Sequence, residues 1–286
     1  MVLDDQVHRR ALVTGSTRGV GRGIAEHLSA VGYRVAVNGR STSRVAEVVA
    51  EIDGAVPAPG DVSTPIGAEE AVSGAGGLLG GLDLVVCNVG GGRSVPPGEE
   101  TYEEWQRVFA LNLWSATNVV ASARATLART TGSIVCISSV CGSAVVQGAP
   151  VTYSAAKSAL HAYVRGVAGP LGRDGIRINA IALGNMLFEG SVWSTRLAED
   201  AEGVRSMLST EVPLGRLGTP EEVSALVEFL GSERASFATG SRPPYHRAST
   251  FGALSSGSYV FCTANLCSVI SFPVSSELAT FSRVQS

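Results

Sequence analysis

The sequence predicts a single α/β domain built on a doubly wound parallel sheet, and three observations carry that prediction. Short, near-continuously apolar runs alternate with longer runs of helical period, the pattern of a parallel sheet covered by helices on both faces. A glycine-rich turn, "TGSTRGVGRG", joins the first of these strands to the first helix. The 286 residues are 45% hydrophobic and only 16% charged, with 34 glycines. That is enough to bury a large core, and it is the texture of tight turns rather than of disorder.

In order, "RALVTG" reads as the first strand and Gly19 to Val31 as its helix, with Ile24, Ala25 and Leu28 on one face. "YRVAVNGR" is the second strand, Ser43 to Ile52 the second helix, and "GAVPAPGDV" the third strand, ending near Asp61. "LDLVVCN" is the fourth strand, followed by a long helix from Tyr102 to Arg129. "GSIVCISS" is the fifth strand, Thr152 to about Leu171 its helix, and "GIRINAIAL" the sixth. Residues 184–218 break the rhythm. Lying beyond a strand's carboxyl end, where such sheets bind ligands, they are expected to form a substrate lid. "TPEEVSALVEFLGS" is a helix capped by Thr219, with Pro220 in its first turn and Glu221 and Glu222 at the positive end of its dipole. The domain so defined spans residues 1–240. The tail, 241–286, is Ser-rich and nearly free of acidic residues. Its Pro243 and Pro244 argue against a central strand there, and "SYVFCTA" is a strand candidate further on.

A formal net charge of -3 with no basic block points away from nucleic acid. Acidic residues precede the first apolar run, and no run approaches the roughly 18 apolar residues of a membrane span, so a cytoplasmic protein without a signal peptide is expected. Five cysteines make no disulfide framework. Cys136 with Cys141, and Cys262 with Cys267, share an offset wider than a zinc knuckle, and Cys136 lies inside a strand, so buried thiols and no metal are expected. His8, His27, His161 and His246 lack ligand spacing; surface or helix-face roles suffice for them.

The chemistry gathers at the strand ends. Gly15, Gly19 and Gly21 let the backbone turn sharply and approach a pyrophosphate at a helix amino terminus. The second strand ends in "NGR", with Arg40 where an acid would grip the ribose of NAD. With Arg18 inside the glycine turn, two guanidinium groups are expected to converge on a 2'-phosphate, which favours NADP(H) over NAD(H); two solvated arginines are the competing account. Asp61 and Val62 follow the third strand, placed to meet an adenine; a turn-forming aspartate is the competing account. Tyr153 and Lys157 are four residues apart, hence on one helix face. Ser139 closes the fifth strand, with Ser138 as the alternative should the register slip by one.

Taken together, "TGSTRGVG" from Thr14, "GDV" from Gly60, "CNVGG" from Cys87, "LNL" around Asn112, "ISS" ending at Ser139, "YSAAK" from Tyr153 and "IRINAIALG" ending at Gly184 resemble the short-chain dehydrogenase/reductase family. The resemblance covers about residues 9–240 and is to the compact, 3-oxoacyl-reductase-like branch. It implies a Rossmann-type fold, a homotetramer or homodimer, and NADP(H)-dependent interconversion of a small-molecule ketone and a secondary alcohol. It implies Tyr153 as general acid or base, and Lys157 lowering the Tyr153 pKa from about 10 while holding the nicotinamide ribose. Ser139 would bind the substrate carbonyl oxygen and Asn112 would anchor a relay water. Gly15, Thr17, Arg18, Gly19, Val20, Gly21, Arg40, Asp61, Val62, Asn88, Gly90, Gly184 and Met186 would hold the cofactor with Tyr153 and Lys157.

The chain departs from the family pattern at Cys87 and Val89, and again where Phe188 takes the place of a threonine that meets the nicotinamide carboxamide. That contact then falls to backbone near Met186. The family's last strand and its Asp-Gly-Gly turn are expected to be missing. Phe188, Trp193, Arg93 and Gln147 are candidate pocket walls. "GNMLFEGSVW" resembles reductases of bacterial surface-sugar pathways, making an oxidised sugar or cyclitol a candidate substrate. A 3-oxoacyl carrier protein is the rival, and a cofactor-binding protein with little or no turnover is the alternative of another class.

Overall fold

The computed structural model describes residues 9–146, 148–241 and 244–245. Strands β1 (Arg10–Val13), β2 (Arg34–Val37), β3 (Val56–Pro57), β4 (Leu84–Cys87), β5 (Ser133–Ser139), β6 (Arg177–Leu183) and β7 (Pro244–Tyr245) form one sheet in the order β3-β2-β1-β4-β5-β6-β7. Every neighbouring pair is parallel. Helices α1 (Gly19–Ala30), α2 (Thr42–Glu51), α3 (Pro65–Leu79), α4 (Tyr102–Phe109), α5 (Ser115–Ala128), α6 (Val151–Arg173), α7 (Val192–Glu199), α8 (Ala201–Glu211) and α9 (Pro220–Gly231) connect them. The doubly wound sheet expected from the sequence is therefore present.

Because both faces are covered, successive strand residues feed two cores. In β5, Ile134 and Cys136 join the core that α3, α5 and α6 cover, while Val135 and Ile137 join the one under α1, α2 and α9. Each fully buried Leu or Ile in these layers contributes about 1.5–3 kcal/mol, which is why apolar runs here are continuous rather than alternating. The strand order reverses between β1 and β4, and the crevice above their carboxyl ends is where such sheets bind ligands.

Four elements differ from expectation. α3 was not read from the sequence as a helix. Thr64 caps it, its side chain accepting from the Gly67 amide, and Pro65 occupies the first turn. Its buried face is mostly Gly and Ala, and it packs closely on α5. The single helix expected from Tyr102 to Arg129 is interrupted by a π-helical turn, Ala110–Trp114. β3 pairs over two residues only, with Ala58 and Gly60 continuing as single backbone bonds to Val37 and Gly39. The missing final strand is a correction: β7 pairs with β6 at the sheet edge, the position where a proline costs no ladder bond. Asn179 holds the approach to it, its amide oxygen accepting from the Ser241 amide and hydroxyl. "SYVFCTA", Gln147, His8, His246, Cys262 and Cys267 lie outside the described residues.

Candidate active site

The glycine turn is a cradle that side chains would fill. Gly15 (φ +62°) and Gly19 (φ +58°) are left-handed, and a Cβ on Gly21 would overlap the Asn88 amide and lie 2.5 Å from the Gly15 carbonyl oxygen. No side chain caps the amino terminus of α1 at Arg18, whereas Ser41, Thr64 and Thr101 cap the next three α-helices. Uncapped amides and the helix dipole suit an anion there, so the turn fits a dinucleotide pyrophosphate. Thr17 packs over Gly39, where an added Cβ would lie 2.8 Å from its methyl, and Val20 packs on the core below.

A residue that sequence reasoning missed fixes this turn. Asn38, buried at the end of β2, accepts from the Gly15 amide at 3.1 Å and donates to the Ala58 and Gly60 carbonyls at 2.8 and 3.2 Å. The signal was a lone amide at the end of an apolar strand. Asn88 does related work from β4, its amide nitrogen donating to the Thr14 and Gly15 carbonyls. Arg18 and Arg40 are exposed beside the turn, and among the described residues neither forms an ion pair. Asp61 Oδ1 accepts from the Ser63 amide (3.1 Å) and hydroxyl (2.7 Å), so the turn-forming account holds for that oxygen. The Val62 side chain lies in the core, leaving only its backbone to meet an adenine.

At the ends of β4 and β5 the other predicted residues converge. Tyr153 and Lys157 share a face of α6, with the Lys157 Nζ 5.9 Å from the Tyr153 ring centre. Lys157 is buried, and among the described residues its hydrogen bond goes to the Ile137 carbonyl at 3.0 Å. An ammonium has three donors, so two are unspent and suit ribose hydroxyls. A Cβ on Gly90 would lie 3.0 Å from that Nζ and 2.9 Å from Asn112 Oδ1, so only glycine fits between them without a shift. Ser139 lies beside the Tyr153 phenol and accepts from the Cys141 amide at 3.2 Å. Ser138 turns instead to His161 at 2.7 Å, so the register alternative falls away.

Burial pushes the Tyr153 phenol up to about 12 and the neighbouring Ser139 hydroxyl pulls the other way, while burial pushes Lys157 down to about 8. Among the protein's own groups, desolvation is thus the largest influence on the phenol. Asn112 sits in the π-helical turn, buried, and its amide clamps the Gly91 backbone from both sides, accepting at 2.9 Å and donating at 3.2 Å, with a further bond to the Val108 carbonyl at 3.0 Å. Its side chain is thereby committed to holding the β4 loop. π-helical turns in α-helices are common at functional sites.

Beyond β6, Met186 pairs with Gly218, with Leu187 donating to Gly218 and Gly218 to Asn185; Met186's own amide and carbonyl stay outside that ladder. Gly184 precedes it at the end of β6. Phe188 folds onto the glycine turn, its ring 2.8 Å from where a Gly19 Cβ would be. Trp193 packs on the small core of α7 and α8, whereas Arg93 is exposed. Cys87 and Cys136 lie opposite each other in the sheet, and the neighbouring Cys136 thiol together with burial pushes the Cys87 thiol up, as expected of inert buried thiols. No group of three or more His, Cys, Asp or Glu suited to a metal is found among the described residues, nor is any helix long and apolar enough to cross a membrane.

A glycine cradle at β1, and a tyrosine, lysine and serine at the crevice, define a nicotinamide-dependent oxidoreductase of the short-chain type, and the comparisons agree. A family model described as enoyl-(acyl carrier protein) reductase matches residues 15–243. The chain belongs to the short-chain dehydrogenase/reductase family. It is 35% identical over 237 residues to a 3-oxoacyl-[acyl-carrier-protein] reductase of Aquifex aeolicus, covering 80% of this chain and 92% of the relative. It is 33% identical over 240 residues to an L-rhamnose 1-dehydrogenase (NAD(P)(+)) of Sphingomonas sp., covering 81% and 92%. Among solved structures, L-sorbose reductase from Gluconobacter frateurii, complexed with NADPH and L-sorbose, superposes with a TM-score of 0.77 at 26% identity, covering 83% and 94%.

Proposed function

We propose that the protein is an NADP(H)-dependent reductase of a polar, sugar-like ketone, with Tyr153 as proton donor. The single observation that carries this reading is the grouping of Tyr153, Ser139 and Lys157 at the crevice. A phenol held near 12 carries its proton at neutral pH, which suits donation to a carbonyl oxygen. Ser139 Oγ, beside that phenol, would donate to the same oxygen and fix the carbonyl for attack. Lys157, with two donors unspent, would hold the nicotinamide ribose, and Gly15, Gly19 and Gly21 the pyrophosphate. When bound, the dinucleotide supplies the hydride. Asn112 acts by holding Gly91, and so the loop along which the substrate enters.

The 2'-phosphate preference rests on Arg18 in the glycine turn and Arg40 just beyond β2, both exposed and without ion pairs among the described residues. Residues 1–240 form the catalytic unit in this reading, with 184–218 as lid and 241–286 as an appended tail; the protein is a cytoplasmic homotetramer or homodimer. A second reading, reduction of a 3-oxoacyl thioester, is favoured by the Aquifex relative. Steady-state oxidation of NADPH and of NADH across ketoses, cyclitol ketones and acetoacetyl thioesters tests both. The proposal expects NADPH to be preferred and a ketose or cyclitol ketone to give the highest kcat/KM. Preference for the thioester supports the second reading, and binding of dinucleotide with no turnover on any ketone would falsify both.

A further inference from the structure

The imidazole of His161 has no part in the chemistry above, yet it is buried one turn beyond Lys157 on α6. Its Nδ1 lies 3.1 Å from the Gly142 carbonyl oxygen, which can only accept, so Nδ1 carries the proton. In the neutral ring that leaves Nε2 to accept from the Ser138 hydroxyl at 2.7 Å. Ser138 and Gly142 are the two ends of a five-residue segment with Ser139 and the 3-10 turn Val140–Gly142 inside it. The same helix carries Tyr153 and Lys157. Gly142 is pressed onto it: an added Cβ would lie 2.6 Å from the Lys157 carbonyl carbon and 2.8 Å from the His161 ring. A hydroxyl beside an imidazole is also the constellation of an activated nucleophile, but Ser138 and His161 are only 3% and 2% exposed, and no substrate reaches them.

We propose that His161 is a positioning residue: by tying both ends of the 138–142 segment to α6, it sets the distance between Ser139 and Tyr153. This rests on the reading that Ser139 holds the substrate carbonyl. The bland account is a histidine that fills space and satisfies its own hydrogen bonds. The two differ in what an apolar side chain of similar size does: it keeps the packing and removes both of the imidazole's ties, leaving Gly142 bonded to α6, among the described residues, only by the Ser158 hydroxyl at 3.0 Å.

The test compares His161→Leu, His161→Asn, Ser138→Ala, Ser139→Ala and the His161→Leu/Ser139→Ala double variant. Melting temperature, NADPH Kd, amide exchange at Cys141 and ketone-reduction kinetics are read for each. His161→Leu should bind NADPH within about twofold of wild type, expose the Cys141 amide faster, and lose about 10- to 100-fold in kcat, the scale on which small misplacements act. His161→Asn, which keeps a donor toward Gly142, should recover part of that loss. In the Ser139→Ala background the leucine change should add less than about twofold, because residues acting as a unit are not additive. Should His161→Leu fail to fold, Ser138→Ala cuts the same tie from the other end and should lower kcat at unchanged NADPH affinity. Wild-type kcat in His161→Leu, or in Ser138→Ala where the leucine variant does not fold, overturns the proposal, as does full additivity with Ser139→Ala. Wild-type kcat in Ser139→Ala overturns the reading of the site itself.

Discussion

Replacing Gly21 by alanine pits two opposing terms against each other. In a helix interior the added methyl is worth up to about 1 kcal/mol in favour of the variant. At Gly21 it would overlap the Asn88 amide and sit 2.5 Å from the Gly15 carbonyl oxygen. Overpacking of that kind costs about 1–3 kcal/mol. Moving Asn88 also strains its bonds to the Thr14 (3.0 Å) and Gly15 (3.3 Å) carbonyls, each worth about 0.5–1.5 kcal/mol. The clash wins, for a net loss of about 1–3 kcal/mol, or roughly 2–12 °C in Tm for a domain of this size. Urea denaturation and calorimetry measure it, and titration with NADPH should show binding weakened by more than tenfold. The internal control is Gly74→Ala in α3, where nothing lies within 4 Å and the methyl should stabilise by about 0.5–1 kcal/mol. A Gly21→Ala protein that melts at or above wild type and binds NADPH normally refutes the cradle argument.

Three further outcomes are expected. Arg40→Asp should weaken NADPH binding by about 10- to 100-fold while NADH binding holds or improves, since it trades a phosphate donor for a ribose acceptor; isothermal titration with both dinucleotides reads this. Asn38→Ala leaves the Gly15 amide and two strand-end carbonyls short of a partner and should cost about 2–4 kcal/mol in denaturant melts, with NADPH affinity falling in step. The third concerns pH. Lys157 falls from 10.5 in the unfolded chain to about 8, so between these values the unfolded chain binds the extra proton and stability rises with pH. Tyr153 rises from 10.0 to about 12, so above pH 10 the folded chain holds the extra proton and stability falls. Lys157→Met should remove only the first slope and Tyr153→Phe only the second; unchanged slopes in these variants would contradict the burial assigned to both groups.

What the sequence made legible was local. Periodicity located six strands because all but the two-residue β3 are largely buried on both faces, and the spacing of Tyr153 and Lys157 placed them together because a helix turn is a fixed length. α3 escaped because its buried face is built of Gly67, Ala68, Ala71 and Ala75, which carry little hydrophobic signal while allowing close approach to α5. The π-helical turn at Asn112 leaves no periodic signal, and its amide meets the Gly91 backbone from 21 residues away along the chain. Asn38 and His161 were hidden for a related reason, since their partners lie about 20 residues away along the chain and meet them only across the fold.

The most direct measurement is a single-turnover experiment with NADPH-saturated protein and its best ketone, comparing wild type with Tyr153→Phe. The phenylalanine variant should bind NADPH within about twofold of wild type and oxidise it 10²–10⁴-fold more slowly, roughly the contribution of a positioned general acid. Oxidation at the wild-type rate would show that the proton comes from elsewhere and that the grouping of Tyr153, Ser139 and Lys157 is not the catalytic centre.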